Sequence, residues 1–73
     1  MDEHQLQDAL KALIEEVASM DAEDRQNAGI GNELAGMEGV RTFEEEGVLT
    51  DNAGLVITTA GGREFQLTIV RSR

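Results

Sequence analysis

Residues 54–70 read GLVITTAGGREFQLTIV and contain the strongest short-range structural signal of the chain. Two runs rich in β-branched and apolar residues flank Gly61-Gly62, which is the pattern of a β-hairpin. In the second run the apolar residues alternate with polar ones, at Phe65, Leu67 and Ile69. Because the side chains of a strand point alternately to its two faces, we expect this apolar face to be buried.

The loop length sets which residues of the hairpin face each other. A two-residue loop would place Phe65 opposite Thr58. A three-residue loop over residues 60–62 places Phe65 opposite Ile57 and aligns the stronger apolar sets of the two strands. It also puts Gly62 where a type I turn followed by a left-handed residue needs a glycine. The sequence therefore predicts the three-residue loop.

Residues 3–20 have the periodicity of an amphipathic helix. Their apolar residues recur at spacings of three and four, at Leu6, Leu10, Leu13, Val17 and Met20. Such a stripe packs against a core. Lys11 precedes Glu15 by four positions, which is the weaker order for an ion pair along a helix. We therefore expect packing, rather than surface charge, to stabilise this helix.

The middle of the chain alternates between turn and strand signals. Residues 21–39 predict a short helix, capped by Asp21, followed by a glycine-rich loop. Val40–Glu44 has the composition of a strand, whereas Thr42 followed by Glu45 resembles a capping box and favours a short helical turn instead. Residues 51–54, Asp-Asn-Ala-Gly, form a strong turn signal before the hairpin.

Together these signals predict a single α+β domain over residues 1–73. The helix over 3–20, with room for a second short helix after it, packs on an antiparallel meander of three or four strands within residues 40–71. The meander ends in the C-terminal hairpin. One helix covers one sheet face, so surplus apolar residues either form a contact surface or are covered when the glycine-rich segment folds back.

The composition of the chain argues against several functional classes. Fifteen acidic against six basic residues give a net charge of -9, so we expect no direct contact with nucleic acid, because phosphate would be repelled. The chain has no Cys and a single His, which argues against a metal site, and it has no phosphate-cradling or catalytic motif, so we expect neither cofactor nor enzymatic activity. We find no apolar run of membrane-spanning length and no signal peptide, which favours a cytoplasmic protein without a membrane partner.

Carboxylates are the remaining candidates for a functional surface. They concentrate along the predicted first helix, just after it, and in a run of three glutamates. The candidate partner-binding residues are Asp8, Glu15, Glu16, Asp21, Glu23, Asp24, Glu44, Glu45 and Glu46. The alternative is an ordinary solvated surface that guards a strand edge against aggregation.

In its size, its acidity and its lack of cysteine the chain resembles the small inhibitor proteins of phages and mobile elements, anti-CRISPR proteins among them. The resemblance implies a non-enzymatic protein-binding module that blocks a basic or nucleic-acid-binding partner by mimicking nucleic acid. The alternative hypothesis is a structural or regulatory homodimer, joined through the sheet edge or the second sheet face.

Overall fold

Three short strands form one antiparallel sheet, and a 17-residue helix packs against it. The computed structural model describes residues 1–73. The elements follow one another as α1 (Glu3–Ser19), α2 (Ala22–Asn27), β1 (Gly39–Thr42), α3 (Phe43–Glu46), β2 (Ala53–Thr58) and β3 (Glu64–Ile69). The strand order is β1-β2-β3, and α1 lies against β1 and β2. This arrangement confirms the predicted α+β fold and its C-terminal hairpin.

The hairpin has the predicted register. Ile57 is paired with Phe65, and Leu55 with Leu67, so residues 60–62 form a three-residue loop. The turn type differs from the prediction. Gly61 has a φ of +94°, which a type II turn requires at its third residue and a type I turn does not allow. Adjacent glycines let both positions adopt positive φ.

Two capped helices follow each other at the N-terminal side. In α1, the Asp2 side chain accepts a hydrogen bond from the Gln5 N–H, and the Gln5 side chain accepts one from the Asp2 N–H, both at 2.8 Å. The chain becomes extended at Met20, and Asp21 then caps α2 by accepting from the Asp24 N–H at 2.9 Å. None of the helices combines the length and the apolar character that crossing a membrane requires.

The two alternatives for residues 40–46 both occur, one after the other. β1 ends at Thr42, whose hydroxyl accepts a hydrogen bond from the Glu45 N–H at 3.1 Å. The Glu45 carboxylate in turn accepts from the Thr42 N–H at 2.9 Å, which completes a capping box. Gly47, with a φ of +74°, then ends α3 after four residues.

The core lies in β1, α3 and β2. Its buried apolar residues are Val40, Phe43, Ala53, Leu55 and Val56. The prediction that the apolar face of the last strand is buried was wrong, because Phe65 is 55% exposed and Leu67 is 41% exposed. The reason is the position of α1, which covers β1 and β2 and leaves β3 uncovered at the sheet edge.

A side chain of α1 that the apolar stripe did not include is the one that is buried. Gln7 is 5% exposed, whereas Leu6 and Leu13 are 38% and 60% exposed. The Gln7 side-chain oxygen accepts a hydrogen bond from the Gly54 N–H at 2.9 Å, and Gly54 lies past the last residue of β2 that pairs with β1. Gln7 therefore satisfies a buried donor that no strand can reach.

Truncation of Gln7 should destabilise the fold more than truncation of an exposed glutamine. Gln7→Ala leaves the Gly54 N–H buried without an acceptor, and we expect the free energy of unfolding to fall by about 1–3 kcal/mol. Urea denaturation measures this change. Gln26→Ala, on the exposed surface of α2, is the matched control and should change the value by less than about 0.5 kcal/mol. Equal losses in the two variants would contradict this role of Gln7.

Gly54 is also the position where the core has no room for a side chain. A Cβ atom there would overlap the Phe43 ring and lie 2.5 Å from the Leu67 carbonyl oxygen. We expect Gly54→Ala to lower the free energy of unfolding by about 1–3 kcal/mol through overpacking. Gly39→Ala, where a Cβ meets nothing within 4 Å, is the control and should leave stability unchanged or slightly raised. Denaturation curves that rank the two variants the other way would show that the contact around Gly54 is loose.

Candidate functional site

An open cleft of about 410 Å³ lies between α1 and the junction of β1 with α3. We call it the acidic cleft. Its lining residues are Gln7, Asp8, Lys11, Ala12, Glu15, Thr42, Glu44 and Glu45. Four carboxylates and one ammonium group among them give the cleft a formal charge of -3. The structure thus gathers carboxylates from two separate parts of the sequence around one concave surface.

Two helices position these carboxylates. Asp8 and Glu15 are seven residues apart in α1, which places them two turns apart on one side of the helix. Glu44 and Glu45 lie in the single turn of α3, whose start is fixed by the capping box at Thr42. Because Thr42 is also the last residue of β1, the sheet itself sets where these two glutamates begin.

Lys11 is the only cationic side chain in the cleft, and it lies between the two groups of acids. Its Nζ atom is 3.9 Å from a Glu15 carboxylate oxygen and 3.6 Å from a Glu45 carboxylate oxygen. Such partly exposed pairs contribute less than about 1 kcal/mol each to stability. Lys11 therefore reduces the repulsion between α1 and α3 but leaves an excess of negative charge in the cleft.

Glu45 has a lowered pKa. The hydrogen bond from the Thr42 backbone N–H is the largest cause, the Thr42 side chain is the next, and the Lys11 ammonium contributes as well. Partial desolvation acts in the opposite direction but does not cancel them. Glu45 consequently stays ionised at a lower pH than an ordinary glutamate.

The structure separates the nine candidate acids into two sets. Four of them line the acidic cleft, and the other five lie elsewhere, at Glu16, Asp21, Glu23, Asp24 and Glu46. Asp21 is occupied as the cap of α2. Glu46 pairs with Arg41, with 2.6 Å between Nε and Oε2. The nine candidate acids therefore do not all line the acidic cleft.

Four lining residues were absent from the sequence-based set, namely Gln7, Lys11, Ala12 and Thr42. Gln7 and Thr42 are buried polar residues, and Lys11 lies between Glu15 of α1 and Glu45 of α3. A signal for Gln7 was present, since Gln7, Leu10 and Ile14 have the same spacing of three and four as the apolar stripe. Its polar side chain concealed that signal.

The acidic cleft presents charged and polar side chains at the protein surface. No group of three or more His, Asp or Glu side chains is arranged to hold a metal ion. Comparisons with protein families, with curated proteins and with solved structures found no match. What the cleft offers is carboxylate oxygens, which accept hydrogen bonds from arginine and lysine side chains.

The lowered pKa of Glu45 should depend on the Thr42 hydroxyl. We expect Thr42→Ala to raise the Glu45 pKa toward its ordinary value, whereas Thr42→Ser keeps the hydroxyl and should keep the pKa low. An NMR pH titration of the Glu45 side chain measures both. If the two variants titrate alike, the hydroxyl has no part in the shift.

The same shift has a consequence for stability in acid. Because the pKa of Glu45 is lower in the folded than in the unfolded chain, its ionised form stabilises the fold above the unfolded pKa. That contribution is lost as the pH falls through the folded pKa. The loss in acid that comes from this group should therefore be smaller in Thr42→Ala than in Thr42→Ser.

Proposed function

We propose that this protein is a non-enzymatic protein-binding module that blocks a basic, nucleic-acid-binding partner through its acidic cleft. The observation that supports this is the convergence of Asp8, Glu15, Glu44 and Glu45 around one concave surface with Lys11 as its only cation. A cleft with walls of one charge concentrates the field and attracts a basic side chain more strongly than a flat surface does.

The charge of the whole chain supports the same role. A net charge of -9 on 73 residues steers a basic partner toward the protein from a distance, and the cleft then offers acceptors at close range. Arginine pairs with carboxylates in the same two-point geometry that it uses for phosphates. Carboxylates on this surface would therefore occupy arginines that otherwise bind nucleic acid.

This proposal places the protein beside the small inhibitor proteins of phages and mobile elements, including anti-CRISPR proteins, which it resembles in size and charge. Such a role belongs in the cytoplasm, where the nucleic-acid-binding partner works. The module binds protein rather than nucleic acid, because its own surface repels phosphate.

A second candidate function, a structural or regulatory homodimer, is favoured by a different observation. β3 lies at the sheet edge with Phe65 and Leu67 exposed, and α1 does not cover it. A small protein with an uncovered apolar strand gains stability when a partner covers that strand.

Two variants of equal net charge distinguish the contribution of the acidic cleft to binding from that of the net charge. One replaces three cleft acids (Asp8→Asn, Glu15→Gln, Glu44→Gln) and keeps Glu45, which caps α3. The other replaces three acids outside the cleft (Glu16→Gln, Glu23→Gln, Asp24→Asn) and keeps the cap Asp21. The probe is an arginine-rich peptide, titrated by calorimetry at low and at moderate salt.

We expect the cleft variant to bind the peptide about tenfold more weakly than the matched control, which corresponds to about 1.4 kcal/mol. The affinity of the unaltered protein should fall as salt rises, because exposed charges are screened. Equal losses in the two variants would show that net charge alone attracts the peptide. An affinity that does not change with salt would contradict the hypothesis that the protein mimics the charge of nucleic acid.

A further inference from the structure

β3 is an edge strand whose first five residues no other element of the chain covers. Residues 64–68 are all exposed, so both of its faces are open. Phe65 and Leu67 lie on one face, and Glu64, Gln66 and Thr68 lie on the other. The strand is six residues long and contains no proline, which is the kind of edge that pairs readily with another strand.

The backbone of β3 has a row of unpaired groups along its outer side. In the hairpin, the Thr59 N–H donates to the Arg63 carbonyl at 2.9 Å, which identifies Thr59 and Arg63 as a hydrogen-bonded pair. Because such pairs alternate along an antiparallel ladder, the peptide groups of Phe65 and Leu67 also point toward β2. Those of Glu64, Gln66 and Thr68 point outward, where the sheet has no further strand.

Charge is distributed unevenly along the chain. Residues 63–73 contain three arginines and one glutamate, a net charge of +2, so residues 1–62 have a net charge of -11. Two copies of a protein with a charge of -9 repel each other through most of their surfaces. An approach through β3 meets less repulsion, because β3 carries a single carboxylate, at Glu64, and Arg63 and Arg71 flank the strand.

We propose that two copies pair through β3 as antiparallel strands, around a two-fold axis at Gln66. This inference rests on the second candidate function and specifies its interface. In this register Phe65 faces Leu67 of the partner subunit, and Glu64 faces Thr68 of the partner subunit. The outward groups of both copies form about six backbone hydrogen bonds, and two sheets of three strands become one continuous sheet.

The register follows from the side chains. Opposite residues must lie on the same face, so the strands can shift only in steps that keep this match. With the axis at Leu67, Arg63 would face Arg71 of the partner subunit, and like charges directly opposite are destabilising. With the axis at Phe65, Arg63 would face Leu67 of the partner subunit. The axis at Gln66 pairs the two exposed apolar residues and brings no like charges together.

Single-cysteine variants test this register, because the chain has no cysteine of its own. In Gln66→Cys the two thiols face each other across the axis, with Cα atoms about 5.5 Å apart, which is within the disulfide range. Glu64→Cys, on the same face, is the matched control. Its two cysteines lie four positions apart along the paired strands, with their Cα atoms more than about 10 Å apart. Circular dichroism checks that both variants fold. After oxidation, a non-reducing denaturing gel should show most of Gln66→Cys as a disulfide-linked dimer and Glu64→Cys as an unlinked single chain.

Light scattering of the unaltered protein tests whether a homodimer forms at all, independently of which surface joins it. We expect a dimer that Phe65→Lys converts to a monomer, while Leu49→Lys, at a fully exposed position off the sheet, leaves it dimeric. A dimer that Gln66→Cys does not cross-link would overturn this interface but keep the homodimer. A monomer at high concentration would overturn both, and β3 would then be open to an extended segment of another protein.

Discussion

The hydrogen bond between the Gln7 side chain and the Gly54 N–H is the contact on which the arrangement of the molecule depends. It joins positions 47 residues apart and fixes α1 at the point where β2 extends past the end of β1. A helix held there lies over β1 and β2, beside α3. Both surfaces follow from this position, since the acidic cleft forms where α1 meets α3, and β3 is left without cover.

Thr42 has the corresponding role on the other wall of the cleft. It ends β1, caps α3 and hydrogen-bonds to Glu45, so one buried residue determines both the direction of the chain and the ionisation of a cleft carboxylate. Because Glu45 serves both the fold and the cleft, the charge of the cleft is better altered at Asp8, Glu15 and Glu44, none of which caps a helix. The capping glutamate cannot be exchanged without loosening α3.

The sequence was informative wherever local rules decide structure. Loop length and cross-strand matching gave the hairpin register, and capping chemistry gave the switch from strand to helix at Thr42. Local rules failed where the outcome depended on which strands α1 covers. A binary pattern counts Gln7 as polar and Leu6 as apolar, yet a buried N–H distant in sequence reverses their burial. Only four of the nine candidate acids converge, because the cleft lies between α1 and α3 and the other acids lie in α2 and its cap or elsewhere on α1 and α3.

The cleft and β3 lie at different edges of the sheet, because the cleft adjoins Thr42 in β1 and the strand order is β1-β2-β3. Pairing through β3 would therefore leave both clefts open and directed away from the two-fold axis. A partner with one basic site would gain nothing from such a dimer. A partner with an extended basic groove could engage both clefts, and the second contact would then form at a high effective concentration without any new interaction. Pairing through β3 and charge mimicry thus support each other only if the partner presents repeated basic sites.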